Sequence, residues 1–329
     1  MTGKPLASIS LDLDDLWTYL RTRGDPAWQS YPSYLPALVP LVLELLDRLD
    51  LKITVFVVGT DAAASANIPL LQSIVDRGHE IGNHSFSHES WLHRHSVAEI
   101  ESEIDRAEQA ILAATGQRPR GFRGPGFSWS PELLEALGRR NYTYDASILP
   151  TFLGPLARWY FLARSGLSAE ERRSRSMLFG PFRNGFIPVR PYRWQLRNGT
   201  ELLEIPTTTF PVVKTPFHMS YLLYLSRISP ALMIGYLRAA ISTCRAMRIE
   251  PSFLLHPLDL LGTDQAQGLS FFPAMDLAAE RKRELVTRVL TILQQAFQLV
   301  PMVHHAGAVL AAGSLPERSP RLYLEPDRR

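Results

Sequence analysis

The sequence contains a single cysteine, Cys244, among 329 residues. An internal disulfide is therefore excluded, and so is a zinc site built from several thiolates. A lone cysteine is typical of proteins from a reducing compartment. An excess of one charge is also lacking, because 35 Lys and Arg against 32 Asp and Glu give a formal net charge of +3. So balanced a chain is not expected to bind nucleic acid over its whole surface.

A long uninterrupted apolar run is absent as well. A membrane-spanning helix needs about 18 or more such residues, and in the nearest candidate, residues 217–237, Arg227 and Pro230 interrupt the run. We interpret this stretch as a core helix followed by a second helix, with a shallow membrane-contacting surface as the alternative. The amino-terminal residues include acids where a signal peptide has its apolar region. We therefore expect a cytoplasmic protein, with peripheral membrane contact kept open.

What the chain does contain is a regular alternation of short apolar runs and helical periodicities. Residues 7–13 and 52–58 have the pattern of buried strands. Further strands are predicted near 142–145, 201–206, 251–256 and 300–304, and helices at 36–49, 68–77, 230–247 and 276–298 and after the caps Ser96 and Ser130. This alternation favours parallel strands joined by right-handed crossovers, and hence a barrel or an open doubly wound sheet.

Residues 151–200 interrupt this alternation. They contain nine Arg, nine aromatic residues and no Lys, and their only acids are Glu170 and Glu171. We predict that this segment is an insertion within a single domain of residues 1–313, and that a polar tail follows at 314–329.

Two histidines in the sequence His84-Ser-Phe-Ser-His88 are candidate metal ligands. If the segment is helical, this spacing places both imidazoles on one face, where they can reach one ion. Thermolysin-like enzymes need Glu directly after the first His, and Ser85 excludes them.

Three carboxylates, Asp12, Asp14 and Asp15, lie at the end of the first predicted strand. They repel one another in apolar surroundings, and a divalent cation would relieve that repulsion. One Asp with two His supplies three ligands and leaves positions open for water and substrate. Arg123, in the sequence FRGPGF, could pair with a remaining carboxylate. His256 ends a predicted strand, where an acid or base of a barrel enzyme belongs.

Five motifs occur in the order and rough spacing of the motifs of the polysaccharide deacetylases, the NodB-homology superfamily of carbohydrate esterase family four. They are the acidic strand end, HSFSH, FRGPGF, YDAS and FLLHP. The chain resembles this family over roughly residues 6–150, 201–206 and 251–305. The resemblance implies an α/β fold, a distorted (β/α) barrel with fewer than eight strands, to which the arginine- and aromatic-rich insertion is added. It also implies metal-dependent removal of an acyl group from an amide or ester.

The resemblance further implies a role for each matching residue. The implied roles are metal ligand for Asp15, His84 and His88, general base for Asp14 held by Arg123, general acid for His256, and substrate binding for Pro125, Gly126, Phe127 and Leu254. Relatives that space the two aspartates by one residue would instead make Asp12 the base and Asp14 the ligand. We prefer the Asp14/Asp15 assignment, because the chain can turn after Asp15. Two nitrogens and one oxygen suit Zn²⁺, and also Co²⁺, Ni²⁺ or Fe²⁺.

The expected substrate is an N-acylated amino sugar or glycan, in particular a phosphate- or lipid-linked precursor. Guanidinium groups bind phosphates and aromatic rings stack on sugars, and the insertion has both. The motif YDASILP lacks the tryptophan often found there in the family, which leaves acetyl and formyl groups open. The alternatives are a deformylase or other metal-dependent amidohydrolase acting on a non-sugar amide, and a non-catalytic carbohydrate-binding relative. No nucleic-acid partner is expected, and the oligomeric state is left open.

Overall fold

The computed structural model describes residues 3–163, 165–197 and 199–323. The strands are β1 (Leu6–Leu13), β2 (Thr54–Val57), β3 (Glu80–Asn83), β4 (Gly121–Phe122), β5 (Tyr144–Asp145), β6 (Tyr192–Gln195), β7 (Glu201–Glu204), β8 (Ser252–Leu255), β9 (Gln298–Val300) and β10 (Glu317–Arg318). The helices are α1 (Leu16–Arg23), α2 (Leu35–Arg48), α3 (Gly59–Ala63), α4 (Ile68–Asp76), α5 (Val97–Thr115), α6 (Pro131–Arg139), α7 (Gly154–Ala163), α8 (Ala169–Ser174), α9 (Met219–Ile228), α10 (Pro230–Ala246), α11 (Ala279–Ala296) and α12 (Met302–Ala311).

The strands form one sheet in the order β10-β6-β7-β5-β4-β3-β2-β1-β8, and β9 pairs with the beginning of β1. All of these pairs are parallel except β6 with β7. Beyond β7, the backbone N–H of Thr208 donates to the carbonyl of Ser252, at the start of β8, over 2.9 Å. The predicted α/β class with a large parallel sheet is confirmed, and closure into a barrel stays a prediction.

Strand β1 lies inside the sheet and carries a polar row. Because side chains alternate along a strand, Ser8, Ser10 and Asp12 share one face while Ile9 and Leu11 share the other. Both faces are buried. The polar side chains of this row therefore need hydrogen-bond partners inside the protein, and other parts of the chain provide them.

Most predicted helices and strands are present with boundaries shifted by one to three residues. The capping box between Ser96 and Glu99 starts α5, and Gly116 ends it in the left-handed conformation. The stretch 217–237 is indeed a helix followed by a second helix, separated at Ser229. Within the described residues, no helix combines the length and the apolar character needed to cross a bilayer.

The strand predicted near 300–304 is wrong. Strand β9 ends at Val300, and residues from Met302 onward form α12. The reason lies in tertiary contacts that the local sequence does not reveal. The backbone N–H of Met302 donates to Thr54 Oγ1 over 2.7 Å, and that of Val303 donates to Glu80 Oε2 over 2.9 Å, so the helix start is satisfied from other strands.

Residues 151–200 contribute to the sheet as well as to its surroundings. They form α7, α8 and β6, and β6 pairs with both β7 and β10. Since β10 lies in the predicted polar tail, that tail is partly structured; residues 324–329 of it, and Met1 and Thr2, lie outside the described residues. The domain boundary and the insertion remain predictions.

Candidate metal centre

Asp12, near the end of β1, and Asp14 and Asp15, which follow it, have three different sets of partners. Asp15 is the N-cap of α1: its Oδ1 accepts hydrogen bonds from the backbone N–H of Leu16 over 2.7 Å and of Tyr34 over 3.2 Å. This carboxylate is therefore used to start a helix and to hold the next segment. The structure does not support the predicted role of Asp15 as a metal ligand.

Asp14, His84 and His88 form the group that could hold a metal ion. One donor atom from each lies within 4.8 Å of the other two, and all three residues are buried. Asp14 Oδ1 lies 3.3 Å from His84 Nε2 and 3.1 Å from His88 Nε2. Among the described residues, no hydrogen-bond donor satisfies this buried oxygen. Two nitrogens and one unsatisfied carboxylate oxygen fit a divalent cation with coordination positions left for other ligands.

The two histidines meet without the helix that their spacing suggested. The segment after β3 is a tight turn in which Ser85 has φ 61° and His88 has φ 50°. Asn83 Oδ1 accepts from the Ser85 N–H over 2.9 Å, and Ser85 Oγ accepts from the His88 N–H over 3.1 Å. From α5, the Glu103 carboxylate accepts from the N–H groups of residues 86 and 87 over 3.1 and 2.8 Å.

Sequence reasoning missed these supporting residues, Asn83 and Glu103. Glu103 lies among the buried positions of the amphipathic helix α5. A carboxylate on that apolar face was the signal that could have found it, because buried carboxylates need partners.

The orientation and charge of the two imidazoles follow from their surroundings. His84 Nδ1 lies 2.7 Å from the carbonyl oxygen of Arg123 and donates to it, which leaves Nε2 facing Asp14. Burial lowers the pKa of His84, but Asp12 and Asp14 outweigh it and raise that pKa overall. Burial raises the pKa of Asp14, yet His88 and His84 hold it well below its ordinary value. The ionised carboxylate is the form of Asp14 that binds a metal, whereas His84 would have to give up the proton that its raised pKa favours.

Arg123 pairs with Asp12, and not with Asp14 as predicted. Its Nη1 lies 2.7 Å from Asp12 Oδ1 and also donates to Ser10 Oγ over 2.8 Å. Its Nε donates to the carbonyl of Ala146 over 3.1 Å, and the guanidinium lies 4.4 Å from the Phe56 ring centroid. The other oxygen of Asp12 lies 4.0 Å from His84 Nε2. Asp12 is therefore a second carboxylate beside the three-residue group, fixed by a buried arginine.

His256 follows directly after β8, next to β1 in the sheet. Leu11 pairs with Leu255, so Asp12 and His256 continue from paired residues at the carboxyl ends of neighbouring strands. The His256 backbone N–H donates to Asp259 Oδ2 over 2.8 Å, and its Nδ1 lies 3.1 Å from Ser220 Oγ. His256 is partly buried.

The predicted substrate-binding residues form a turn and an apolar cluster beside it. Residues Pro125–Phe127 make a single 3₁₀ turn in which Gly126 has φ 61°. Phe127 packs with Leu254 and with Leu149, which sequence reasoning missed.

A second missed residue, Ser147, holds the start of this turn. Ser147 Oγ accepts from the Gly124 N–H over 2.8 Å and donates to Asp145 Oδ1 over 2.6 Å. Its position in the YDAS motif is the signal that could have found it, because short polar side chains after a strand commonly bond to nearby backbone.

A family model for polysaccharide deacetylase matches residues 8–144, the span that contains Asp12, Asp14, both histidines and Arg123. Residues 8–144 belong to the polysaccharide deacetylase family. The family predicted from the sequence is thereby confirmed, while His256 lies outside the matched span.

Similar proteins agree with this membership. A peptidoglycan deacetylase of Helicobacter pylori is 29% identical over 111 residues, which is 34% of this chain and 37% of the relative. A peptidoglycan-N-acetylglucosamine deacetylase of Bacillus cereus is 31% identical over 86 residues, 26% of this chain and 30% of the relative. The chain thus spans about a third of the length of these curated relatives.

The fold extends the similarity beyond the matched span. A solved structure from Mycobacterium smegmatis, of a protein assigned to the polysaccharide deacetylases, is 19% identical with a TM-score of 0.60. The match covers 99% of this chain and 96% of that one. Both chains therefore share one α/β fold along nearly their whole lengths.

Proposed function

We propose that this protein is a metal-dependent hydrolase that removes an N-acyl group, acetyl in the first instance, from an amino sugar or glycan. The observation that carries the proposal is the group of Asp14, His84 and His88 with the Asp12–Arg123 pair directly beside it. The family membership and the names of the relatives, peptidoglycan deacetylases among them, support this substrate class.

In this proposal Asp14, His84 and His88 hold one divalent ion, with Zn²⁺ preferred and Co²⁺, Ni²⁺ or Fe²⁺ also suited to the donors. Such an ion, when bound, polarises an acyl carbonyl and lowers the pKa of a coordinated water. The protein contributes the orientation of the ligands: the Arg123 carbonyl fixes the ring of His84 and the turn at Ser85 brings His88 to it.

Asp12 is proposed as the general base. Its Oδ1 is held by Arg123, and its Oδ2 lies 4.0 Å from His84 Nε2, beside the metal group. A carboxylate fixed in this way can accept a proton from an attacking water without leaving its place. This is the alternative assignment from the sequence, with Asp12 as base and Asp14 as ligand.

His256 is proposed as the general acid. Ser220 engages its Nδ1, which leaves Nε2 to donate a proton to the departing amine. The backbone N–H groups of the turn at Gly126 and Phe127 are proposed to donate to the oxyanion. Leu254, with Phe127 and Leu149, supplies an apolar surface for the acyl group.

The amino sugar that bears the acyl group is proposed to carry a phosphate or a lipid phosphate. We call the turn at Pro125–Phe127, together with Gly124 before it, the substrate turn. Segment 175–180 contacts it, since the Phe179 N–H donates to the Gly126 carbonyl over 3.2 Å. Exposed arginines of the same part of the chain, Arg172, Arg173 and Arg183, are the proposed phosphate ligands. The cytoplasmic location stays a prediction.

The test is a panel of N-acetylated and N-formylated amino sugars, with and without phosphate, incubated with the metal-loaded protein. Mass spectrometry identifies the acid released, and metal analysis is run on the same samples. We expect acetate from the amino sugars, with faster release from the phosphorylated forms. The Asp12→Asn variant is the matched control, expected to hold metal and to release no acid.

Each other outcome selects a different function. Formate as the main product would favour the deformylase, and release only from non-sugar amides would favour another amidohydrolase. Glycan binding by a fully metal-loaded protein that releases no acid would favour the non-catalytic relative and overturn the proposal.

A further inference from the structure

The described part of the chain exposes a set of large apolar side chains on neighbouring segments. They come from α7, from the turn at residues 182–186 and from the loop between β7 and α9, and each is between 55% and 66% exposed. We call the following six residues the apolar face: Leu156, Trp159, Phe182, Phe186, Val212 and Val213. Burying such side chains is favourable, so an exposed cluster of this kind marks a contact surface.

Contacts hold these three segments next to one another. Phe152, just before α7, packs against Phe182 in a tilted arrangement and against Phe186 edge to face, with ring centroids 5.0 and 5.1 Å apart. The β7–α9 loop is tied to the same region, because Thr151 Oγ1 donates to the carbonyl of Lys214 over 2.7 Å and Lys214 Nζ donates to the carbonyl of Ile187 over 2.6 Å. Ring contacts and hydrogen bonds therefore hold together the segments that carry the apolar face.

The part of the chain that carries the apolar face has a net positive charge. Residues 151–248 contain 13 Arg and one Lys against four Glu and no Asp, while the rest of the chain has more acids than bases. Arg183 follows Phe182 directly and is itself exposed. Exposed aromatic and aliphatic side chains in an arginine-rich part of the chain match the interface of a bilayer that contains anionic lipids, where rings enter the headgroup region and guanidinium groups bind phosphates.

Helix α7, which carries part of the apolar face, is also linked to the turn at Pro125–Phe127. Gly154, at the start of α7, packs against the backbone of Phe179 and Gly180 so closely that an added Cβ would lie 2.5 and 2.4 Å from their carbonyl oxygens. Phe179 in turn bonds to Gly126 of the substrate turn. A surface that contacts a membrane here would place the site beside the lipid headgroups.

We infer that the apolar face is a docking surface for the anionic face of a lipid bilayer, which it binds peripherally. The inference does not depend on the proposed deacylation, because it rests on the exposure of apolar side chains and on the positive charge of residues outside the metal centre. It would explain how a lipid-linked substrate is reached without a membrane-spanning helix in the described part of the chain.

The test is co-sedimentation of the full chain with vesicles of phosphatidylcholine alone and of phosphatidylcholine with phosphatidylglycerol. We expect binding to the anionic vesicles that weakens as salt is raised. The double variant Phe182→Ser/Phe186→Ser should lower the partition coefficient about tenfold or more, since it removes two interfacial rings. Val97→Ser/Leu112→Ser is the matched control, because these residues are 48% and 45% exposed on α5, away from the apolar face.

Two results would overturn the inference. One is wild-type protein that stays in the supernatant with both kinds of vesicle. The other is equal binding by the two double variants. Size-exclusion chromatography identifies a different occupant: a wild-type oligomer that the phenylalanine substitutions convert to a monomer, without vesicle binding, would assign the face to a second copy of the chain. Release of acid from a water-soluble substrate should be the same in both double variants, so this test can fail while the proposed function stands.

Discussion

Arg123 Nη1 and Asp12 Oδ1 lie 2.7 Å apart with side chains that are only 1% and 6% exposed. Removing one member of such a buried pair leaves the other charge without compensation, which typically costs about 3–5 kcal/mol. We expect Arg123→Leu to lower the free energy of unfolding by that amount in urea denaturation. The double variant Asp12→Leu/Arg123→Leu should recover part of the loss, and an undiminished or larger loss in the double variant would show that the arginine stabilises the fold through its other contacts.

Metal content separates the three neighbouring aspartates. Asp14→Ala should empty the proposed site, because it removes the only carboxylate within 4.8 Å of both imidazole donors among the described residues. Asp15→Ala should retain stoichiometric metal and instead lose about 1 kcal/mol of stability, since it removes a helix N-cap. Metal analysis after dialysis, with urea unfolding of both variants, provides the measurement. Loss of metal from Asp15→Ala with retention in Asp14→Ala would restore the assignment first preferred from the sequence.

The choice between the two assignments of base and ligand shows what the sequence could and could not predict. The strand ending at residue 13, the HSFSH pair and the arginine motif are local patterns, and each was found. The choice among three adjacent carboxylates is not local. It depends on β1 directing Asp12 toward Arg123, and on Asp15 acting as a cap for α1, a helix that was not predicted. An aspartate just before a helical stretch is a capping signal, but α1 is short and weakly apolar.

The same distinction applies to the fold. Capping residues and hydrophobic periodicity predicted α5 and α6 well, because local residues set the boundaries of these helices: Ser96 and Gly116 for α5, and Ser130 for α6. The same local signals did not predict the helix at residues 302–311, because Thr54 and Glu80 on other strands accept the hydrogen bonds of its first N–H groups. Ser85 and His88 likewise adopt left-handed backbone conformations that a spacing of four residues does not indicate.

Gly124 provides a test of the substrate turn. A Cβ at this position would lie 1.9 Å from the Ser128 carbonyl oxygen, so Gly124→Ala must displace the backbone of the turn. We expect a fall of about a hundredfold or more in kcat/KM if the turn donates to the oxyanion, with metal content unchanged. Gly235→Ala on α10 is the matched control, because no atom lies within 4 Å of its added Cβ. A Gly124→Ala protein with normal kinetics would remove the turn from the mechanism.

His79 makes stability depend on pH. Burial, helped by Lys52 and Arg77 and opposed by Asp47, lowers the pKa of His79 from 6.5 to about 4. The unfolded chain therefore binds a proton at a higher pH than the folded chain does, and stability is lost as the pH falls from 6.5 towards 4. In His79→Gln this contribution disappears. Urea unfolding at pH 7 and pH 5 should show that the free energy of unfolding falls less in the variant than in the wild type. An equal fall in both proteins would contradict the lowered pKa of His79.

Strand β1 is held on both sides, by β8 through Ser8–Leu11 and by β2 through Ser10–Leu13. Because its side chains alternate, sliding it by a single residue would turn Asp12 outward and present Leu11 or Leu13 to Arg123. The register of one strand thus decides whether the proposed catalytic residues come together. A chain in which β1 is misregistered could keep most of its helices and look folded by circular dichroism, and still lack the arrangement of Asp12 and Arg123.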